Sequence, residues 1–430
     1  DEDCWGRLMH GEGSRRGEGM RTSAEEPGPG ADLRADLDRR RKRPRSPAAG
    51  GAHEAARQRP REQGGGSYGS SEQSSGDDDD DRNDNHYAFR AGELLKSRYR
   101  TISLLGTGTF GKVLLARDER SDRDVAVKVV RAVYKYSSEA VVEARIIGDV
   151  HARAREQRRR LPVVDLLERF EHHGHVCLCF ERLGPTLLEA LEQARKPREN
   201  TSSSYLCLAT IQTVARCLFE ALEFVHSMGL SHTDLKPENI LFHEWSKLDT
   251  PPKARLVKLI DFGGATYEND HHSEVVCTRQ YRPPEVTLGM RWGCPVDLWS
   301  VGCILAELYT GHVLFGTHDE AEHLALMERA LGAIPRRMAR AASERAQRRW
   351  FVQGVLNWPQ AAPNRKSERH VRDAARLKDA LMRDRPWTCV HDEFLSLLLR
   401  LLEYLPEQRI TAREALQHPF MKMDIPPGMC

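Results

Sequence analysis

The chain has 430 residues, 65 of them Lys or Arg and 63 Asp or Glu, so its formal net charge is only +2. A balance this close names no polyanionic or polycationic partner for the protein as a whole, and charge must be read locally. No stretch of roughly 18 apolar residues occurs and the first residues lack a signal-peptide core, so neither a membrane span nor export is expected.

Residues 1–85 are rich in Gly, Arg, Ser, Glu and Pro and poor in aromatic and branched apolar residues. Such a composition buries too little surface to offset chain entropy, and a disordered tail is expected there. Within it, RRRKRPRSP (Arg39 to Pro47) is a basic cluster suited to an import receptor or a polyanion, and Ser46 before Pro47 is a candidate phosphorylation site. The acidic run Asp77 to Asp81 reads as a solvated spacer, with docking of an Arg-rich partner as the alternative.

Ordered structure is expected from Tyr99. There YRTISLLG, KVLLARD and DVAVKVV cluster or alternate branched apolar residues between turn signals, as antiparallel strands do. Gly106, Gly108 and Gly111 of GTGTFGKV, with Thr107, Thr109 and Phe110 between them, would let a hairpin backbone approach phosphates closely. The same spacing in dinucleotide-binding folds opens a helix, whereas here it separates two strand-like runs. SSEAVVEARIIGDV then has helical spacing, LPVVDLLERF and HVCLCFERL read as two more strands, and LATIQTVARCLFEALEFVHSMG as a long amphipathic helix. A small sheet domain thus precedes a helical one.

The 10 cysteines form no repeating framework. Cys177 and Cys179 would share one face of a strand, and no second pair follows at zinc-ligand spacing; reduced thiols fit a nuclear or cytosolic compartment. The histidines of HHGH (172–175), with His271 and His272, lack acidic partners at metal spacing in the sequence and read as loop histidines.

Chemistry concentrates in three segments in chain order: GTGTFGKV, SHTDLKPENILF (231–242) and IDFGGA (260–265). The second supplies a carboxylate, an ammonium and an amide at Asp234, Lys236 and Asn239, groups able to hold a nucleophile, a phosphate and a metal ion. Asn239 and Asp261 offer hard oxygen ligands that suit Mg²⁺. Lys128, ending the apolar run VAVK, can meet Glu143 on the following helix, with a surface ion pair as the bland alternative.

These segments, in this order, resemble those of the protein kinases. The resemblance implies an α+β, two-lobed eukaryotic protein kinase fold: a small β-rich N-lobe (99–183), a larger helical C-lobe (184–420) and a C-terminal tail (421–430). It implies ATP and Mg²⁺ as cofactors, with Lys128 oriented by Glu143 toward the phosphates and Val113 over the base. Asp234 would be the catalytic base, Lys236 would stabilise the transferring phosphoryl group, and Asn239 and Asp261 would bind metal. Thr278 would hydrogen-bond Asp234 and Lys236. Glu285 would pair with Arg409, Asp297 would support the catalytic loop, and His232, Phe262 and Ile147 would align the lobes. Around the adenine the same resemblance expects Leu105 and Ala126 above and Leu241 below, Phe180 as gatekeeper, backbone groups of Glu181 and Leu183 toward the base, and Glu238 near the ribose, with Arg182 pointing to solvent.

HTDLKPENILF, with Thr233 where most kinases carry Arg, and EHLALMERALG (Glu322 to Gly332, Leu326 replacing a Met) are similar to the LAMMER or CDC-like kinases of the CMGC group. HHSEVVCTRQYRPPEV, GHVLFGTHDEAEHL and ITAREALQHPF extend the similarity over Tyr99 to Phe420, with a LAMMER-type insert near 311–385. The family implies dual specificity: Ser and Thr on Arg/Ser-rich splicing factors, Tyr by autophosphorylation, in the nucleus and also the cytoplasm. Asp77 to Asp81, Glu320 and Glu322 are the candidate docking groups for Arg-rich peptides. A monomer is expected, without direct nucleic-acid binding, since the basic stretch Arg336 to Arg349 lacks interleaved aromatics.

Departures from the family are Pro283 in place of Ala in the APE triplet, a short segment between Asn239 and Asp261, and a tail without a dense Arg-Ser repeat. Thr233 removes the arginine that usually orders a phosphorylated activation loop, so activity without loop phosphorylation is expected. The alternatives are a pseudokinase scaffold and a related CMGC kinase acting on Ser-Pro targets.

Overall fold

The computed structural model of the protein describes residues 85–195, 206–243, 257–382 and 387–426. The basic cluster and the acidic run of the N-terminal segment lie outside them, as does most of the segment between Asn239 and Asp261.

Six antiparallel strands make the first lobe: β1 (Leu94–Leu95), β2 (Tyr99–Gly108), β3 (Gly111–Asp118), β4 (Arg123–Val130), β5 (Leu166–His172) and β6 (His175–Glu181), in the order β1-β2-β3-β4-β6-β5. Register decides what each face carries, because side chains alternate along a strand. Val127 opposes Cys179 and Val129 opposes Cys177, and these four pack with Leu95, Tyr99 and Phe170 in one core cluster. Ala126 opposes Phe180 and Lys128 opposes Leu178, on the other face. The two thiols share a buried face as alternation predicts, and burial pushes Cys177 up to about 12 and Cys179 up to about 11, so they pack as small apolar groups.

The lobe begins before Tyr99. Tyr87 is buried in the sheet cluster, its hydroxyl donates to Glu93 at 2.7 Å, and Lys112 Nζ donates to the Tyr87 carbonyl at 2.8 Å. Too few apolar residues lie in NHYAFRAGE for a strand pattern to show, and the segment is held by these side-chain bonds together with backbone bonds from Gly92 N to the Thr101 carbonyl and from Ala132 N to the Asn85 carbonyl.

Helix α1 (Tyr134–Glu156) buries Ala140, Glu143, Ala144, Ile147, Val150 and Ala154, a stripe at three- and four-residue spacing with one carboxylate inside it. Its inner half joins the large core of the second lobe, where Ile147 and Phe262 belong to one apolar cluster.

The second lobe contains α2 (Leu187–Arg195), α3 (Leu208–Ser227), the short strands β7 (Leu230–Ser231), β8 (Ile240–Phe242), β9 (Val257–Leu259) and β10 (Thr266–Tyr267), then α4 (Pro284–Thr287) and α5 (Pro295–Thr310). Beyond them come α6 (Glu320–Leu331), α7 (Arg336–Ala341), α8 (Glu344–Trp350), the ribbon β11 (Phe351–Val352) and β12 (Val355–Leu356), α9 (Arg365–Asp373), α10 (Leu377–Leu381), α11 (Cys389–Leu401), α12 (Ala412–Leu416) and α13 (Pro419–Lys422). No helix among the described residues is long and apolar enough to cross a membrane.

Two tertiary pairings brace this lobe. Arg409 grips Glu285 with two bonds of 2.7 and 3.0 Å, both side chains fully buried, so removing either partner should cost about 3–5 kcal/mol. Pro283 sits at φ −75° as the cap of α4, a conformation its ring already prefers, and its carbonyl accepts from Thr287 N at 3.3 Å. The basic stretch Arg336 to Arg349 is two helices, because Ser343 caps α8 by accepting from Ala346 N.

His323, inside α6, has no hydrogen-bond partner for either ring nitrogen among the described residues and packs edge-on against Phe315. Burial, reinforced by Arg282 and Arg279, pushes its pKa from 6.5 down to about 3. Across that window the unfolded chain binds more protons here than the folded one, so stability should rise with pH, by up to about 1.4 kcal/mol per unit from this group. Denaturation of the parent and His323→Leu at acid and neutral pH should give a shallower pH dependence in the variant; equal slopes would clear His323 of this role.

Candidate active site

The segment between β7 and β8 is anchored from below by one carboxylate on α5. Asp297 accepts from His232 N at 2.8 Å, Thr233 N at 2.9 Å and the His226 ring at 2.8 Å. Burial opposes its charge, but the bonds from His226 and the loop amides hold its carboxyl below the usual carboxylate range. Thr233 is thereby kept at φ 71°, a strained region for a β-branched residue, and its hydroxyl donates to the Gly264 carbonyl at 2.8 Å.

Beyond that anchor four predicted residues converge. Asp234 Oδ1 accepts from the Thr278 hydroxyl at 2.7 Å, while its Oδ2 lies 2.9 Å from Lys236 Nζ and 3.2 Å from Asn239 Nδ2. Asn239 Nδ2 also donates to the Asp234 carbonyl at 2.8 Å, and Lys236 Nζ donates to Thr278 at 3.3 Å. Burial works against the Lys236 ammonium, but Asp234 outweighs it and raises the pKa. The amide nitrogen of Asn239 is committed to Asp234, which leaves its oxygen as the ligand atom.

Lys128 joins the lobes. Its ammonium sits 2.9 Å from Glu143 on α1 and 3.2 Å from Asp261 of the DFG segment. Burial opposes its charge, yet the two carboxylates together raise its pKa. Asp261 is held low by Lys128 against its own burial, whereas burial dominates at Glu143 and pushes it up. Phe262 packs edge-on to His232 at 4.9 Å, and His232 Nε2 donates to the Ile260 carbonyl, tying the DFG segment to the catalytic loop.

Val113, Ala126, Lys128 and Phe180 are half-buried, with Ala126 opposite Phe180 and Lys128 opposite Val113 across neighbouring strands. In the β2–β3 turn a Cβ on Gly106 or Gly108 would meet nothing within 4 Å, so protein packing does not demand glycine there, whereas a close ligand would. Gly111 differs: its φ is 153° and a Cβ would lie 2.2 Å from the Val129 carbonyl oxygen, so the fold itself requires it. Thr107 and Thr109 are exposed in this turn and Phe110 packs edge-on against Tyr136.

The remaining predicted contacts are spread along the cleft. Leu105 is exposed on β2, Leu241 is half-buried on β8, and Glu238 is exposed. The Glu181 side chain accepts from Asp165 N and Lys258 Nζ, so it is a structural bridge. Arg182 is exposed, as expected, and its guanidinium also donates to the Leu183 carbonyl.

The donor set fits a nucleoside triphosphate with a divalent metal: a lysine between carboxylates, a glycine turn with open space, and paired oxygen ligands at Asn239 and Asp261. Sequence reasoning overlooked His226, which is 71 positions from Asp297 and has no local signature.

Comparison with known proteins agrees. Residues 99–421 match the protein kinase domain family. The chain is 40% identical over 355 residues to serine/threonine-protein kinase AFC3 of Arabidopsis thaliana, covering 79% of this chain and 86% of that one. It is 37% identical over 352 residues to dual specificity protein kinase CLK1 of Homo sapiens, covering 79% and 69% respectively. A crystal structure of a kinase domain superposes with a TM-score of 0.68 at 32% identity, covering 78% of this chain and 98% of that one. With a catalytic loop reading HTDLKPEN and relatives of this kind, the chain belongs to the protein kinase family, on its LAMMER or CDC-like branch.

Proposed function

We propose that this chain is a dual-specificity kinase that moves the γ-phosphoryl group of ATP, held with Mg²⁺, onto Ser and Thr of Arg/Ser-rich proteins such as splicing factors, and onto Tyr of its own chain. The observation that carries the reaction is the joint network of Asp234, Lys236, Asn239 and Thr278. Asp234 is positioned to accept the proton of an incoming hydroxyl, with Thr278 and Asn239 fixing its two oxygens. Lys236 stays cationic where negative charge grows on the transferring group. Asn239 and Asp261 would hold the metal, and Lys128, steadied by Glu143, the phosphates. When bound, the metal nucleotide supplies the phosphoryl group and partly neutralises it.

Substrate class rests on membership of the branch, and dual specificity on the names its relatives carry, including dual specificity kinases CLK1 and CLK2. Among the docking candidates, Glu322 is already taken by Ser367 and His370, because α9 packs on α6. Glu320 lies 3.9 Å from Arg349 and is partly exposed, so it is the better partner for a substrate arginine. The basic cluster Arg39 to Pro47, suited to an import receptor, supports the reading of nuclear residence.

The activation segment is held without an arginine at 233. Thr266 and Tyr267 pair with Ser231 and Leu230, Trp292 donates to the Ser273 carbonyl at 2.9 Å, and His272 stacks on Trp292 at 4.2 Å. Arg282 donates to the Val276 and Cys277 carbonyls. These contacts support activity that needs no phosphate on the loop.

Labelled-ATP assays on an Arg-Ser peptide and a Ser-Pro control should show clear preference for the first; the reverse order would move the chain to Ser-Pro targets. Asp234→Ala should lose about 10²- to 10⁴-fold in turnover, and an equal signal would remove Asp234 as the base. Phosphatase-treated enzyme should keep most of its rate, whereas collapse to background would show that the loop needs its phosphate.

A further inference from the structure

The β5–β6 hairpin turns through His173 and Gly174 at φ 48° and 79°, closed by the pair His172 and His175. Positive φ at both central residues is the tight primed turn that matches strand twist. The curled sheet brings this turn beside Glu93, the residue before β1 and 79 positions earlier than His172. Sequence spacing offered these histidines no acidic partner; the tertiary fold supplies one.

Three donor atoms meet there. Glu93 Oε1 lies 3.1 Å from His172 Nε2 and 4.0 Å from His173 Nε2, and all three atoms are within 4.8 Å of one another. Zinc bonded tetrahedrally at about 2.0–2.1 Å sets its donors roughly 3.3 Å apart, so small side-chain shifts would close the site. The other Glu93 oxygen accepts from Tyr87 at 2.7 Å, which fixes the carboxylate with Oε1 toward the imidazoles. His172 is 12% and Glu93 24% exposed, while His173 at 74% leaves an open path for an ion.

A hydrogen bond alone accounts for His172 and Glu93. It does not account for His173, whose ring packs edge-on to His172 at 4.1 Å with Nε2 near the same oxygen. Two imidazoles favour a borderline transition metal over Mg²⁺ or Ca²⁺, which separates this cluster from the oxygen donors of the active site.

We propose that Glu93, His172 and His173 form a zinc-type transition-metal site, with a fourth position for water, that clamps the segment before β1 to the β5–β6 turn. The ion acts on stability of the first lobe, and the site does not depend on the substrate assignment above.

The test uses the full chain, stripped with chelator and titrated with zinc alone, with bound metal and Tm read for the parent, His173→Ala and Glu93→Gln. His173 is exposed, so its variant should fold and keep basal kinase activity. Expected is one more zinc per parent chain than per His173→Ala chain, and a rise in Tm of several degrees that both variants lack. A rise that survives in either variant, which would place zinc elsewhere, overturns the proposal, as does no rise in the parent at submillimolar zinc.

Discussion

The buried carboxylate of Asp297 is the constraint on which the active site depends. A charge without solvent on α5 must be met by donors, and the donors available are His226 and two consecutive amides of the catalytic loop. Meeting them holds Thr233 in a left-handed conformation and so sets the direction of Asp234, Lys236 and Asn239. The rigid helix supplies the reference point, and the loop inherits its precision.

A second constraint works across the lobes. Lys128 is shared between a carboxylate from the α1 stripe and one from the DFG segment, so one charge links the first lobe to the DFG segment. The apolar contacts of Ile147 and Phe262 share one core, which gives this ionic link a packed backing. The activation segment is tied by backbone pairing and by Trp292, His272 and Arg282.

Legibility followed chain distance and chemical type. Asp234, Lys236 and Asn239 lie within one short loop, and Lys128 lies in a strand whose alternation is plain, so their convergence could be argued from spacing. The shared face of Cys177 and Cys179 followed from period two alone. Other features had no local signal. Tyr87 and Glu93 join the first lobe through side-chain bonds in a polar segment, Glu322 is captured by α9, and the basic stretch after Pro335 breaks at a serine cap.

The amino-acid order by itself determined which groups gather at the candidate site, because polar types at short, ordered spacings leave few other readings. It also determined the strand faces, since alternation needs no knowledge of the partner strand. Only the tertiary structure decided which distant groups meet without any local signal: His226 with Asp297, and Glu93 with His172 and His173. Those contacts arise from sheet curl and helix packing, which sum many weak apolar terms over the whole domain and leave no mark at any single position.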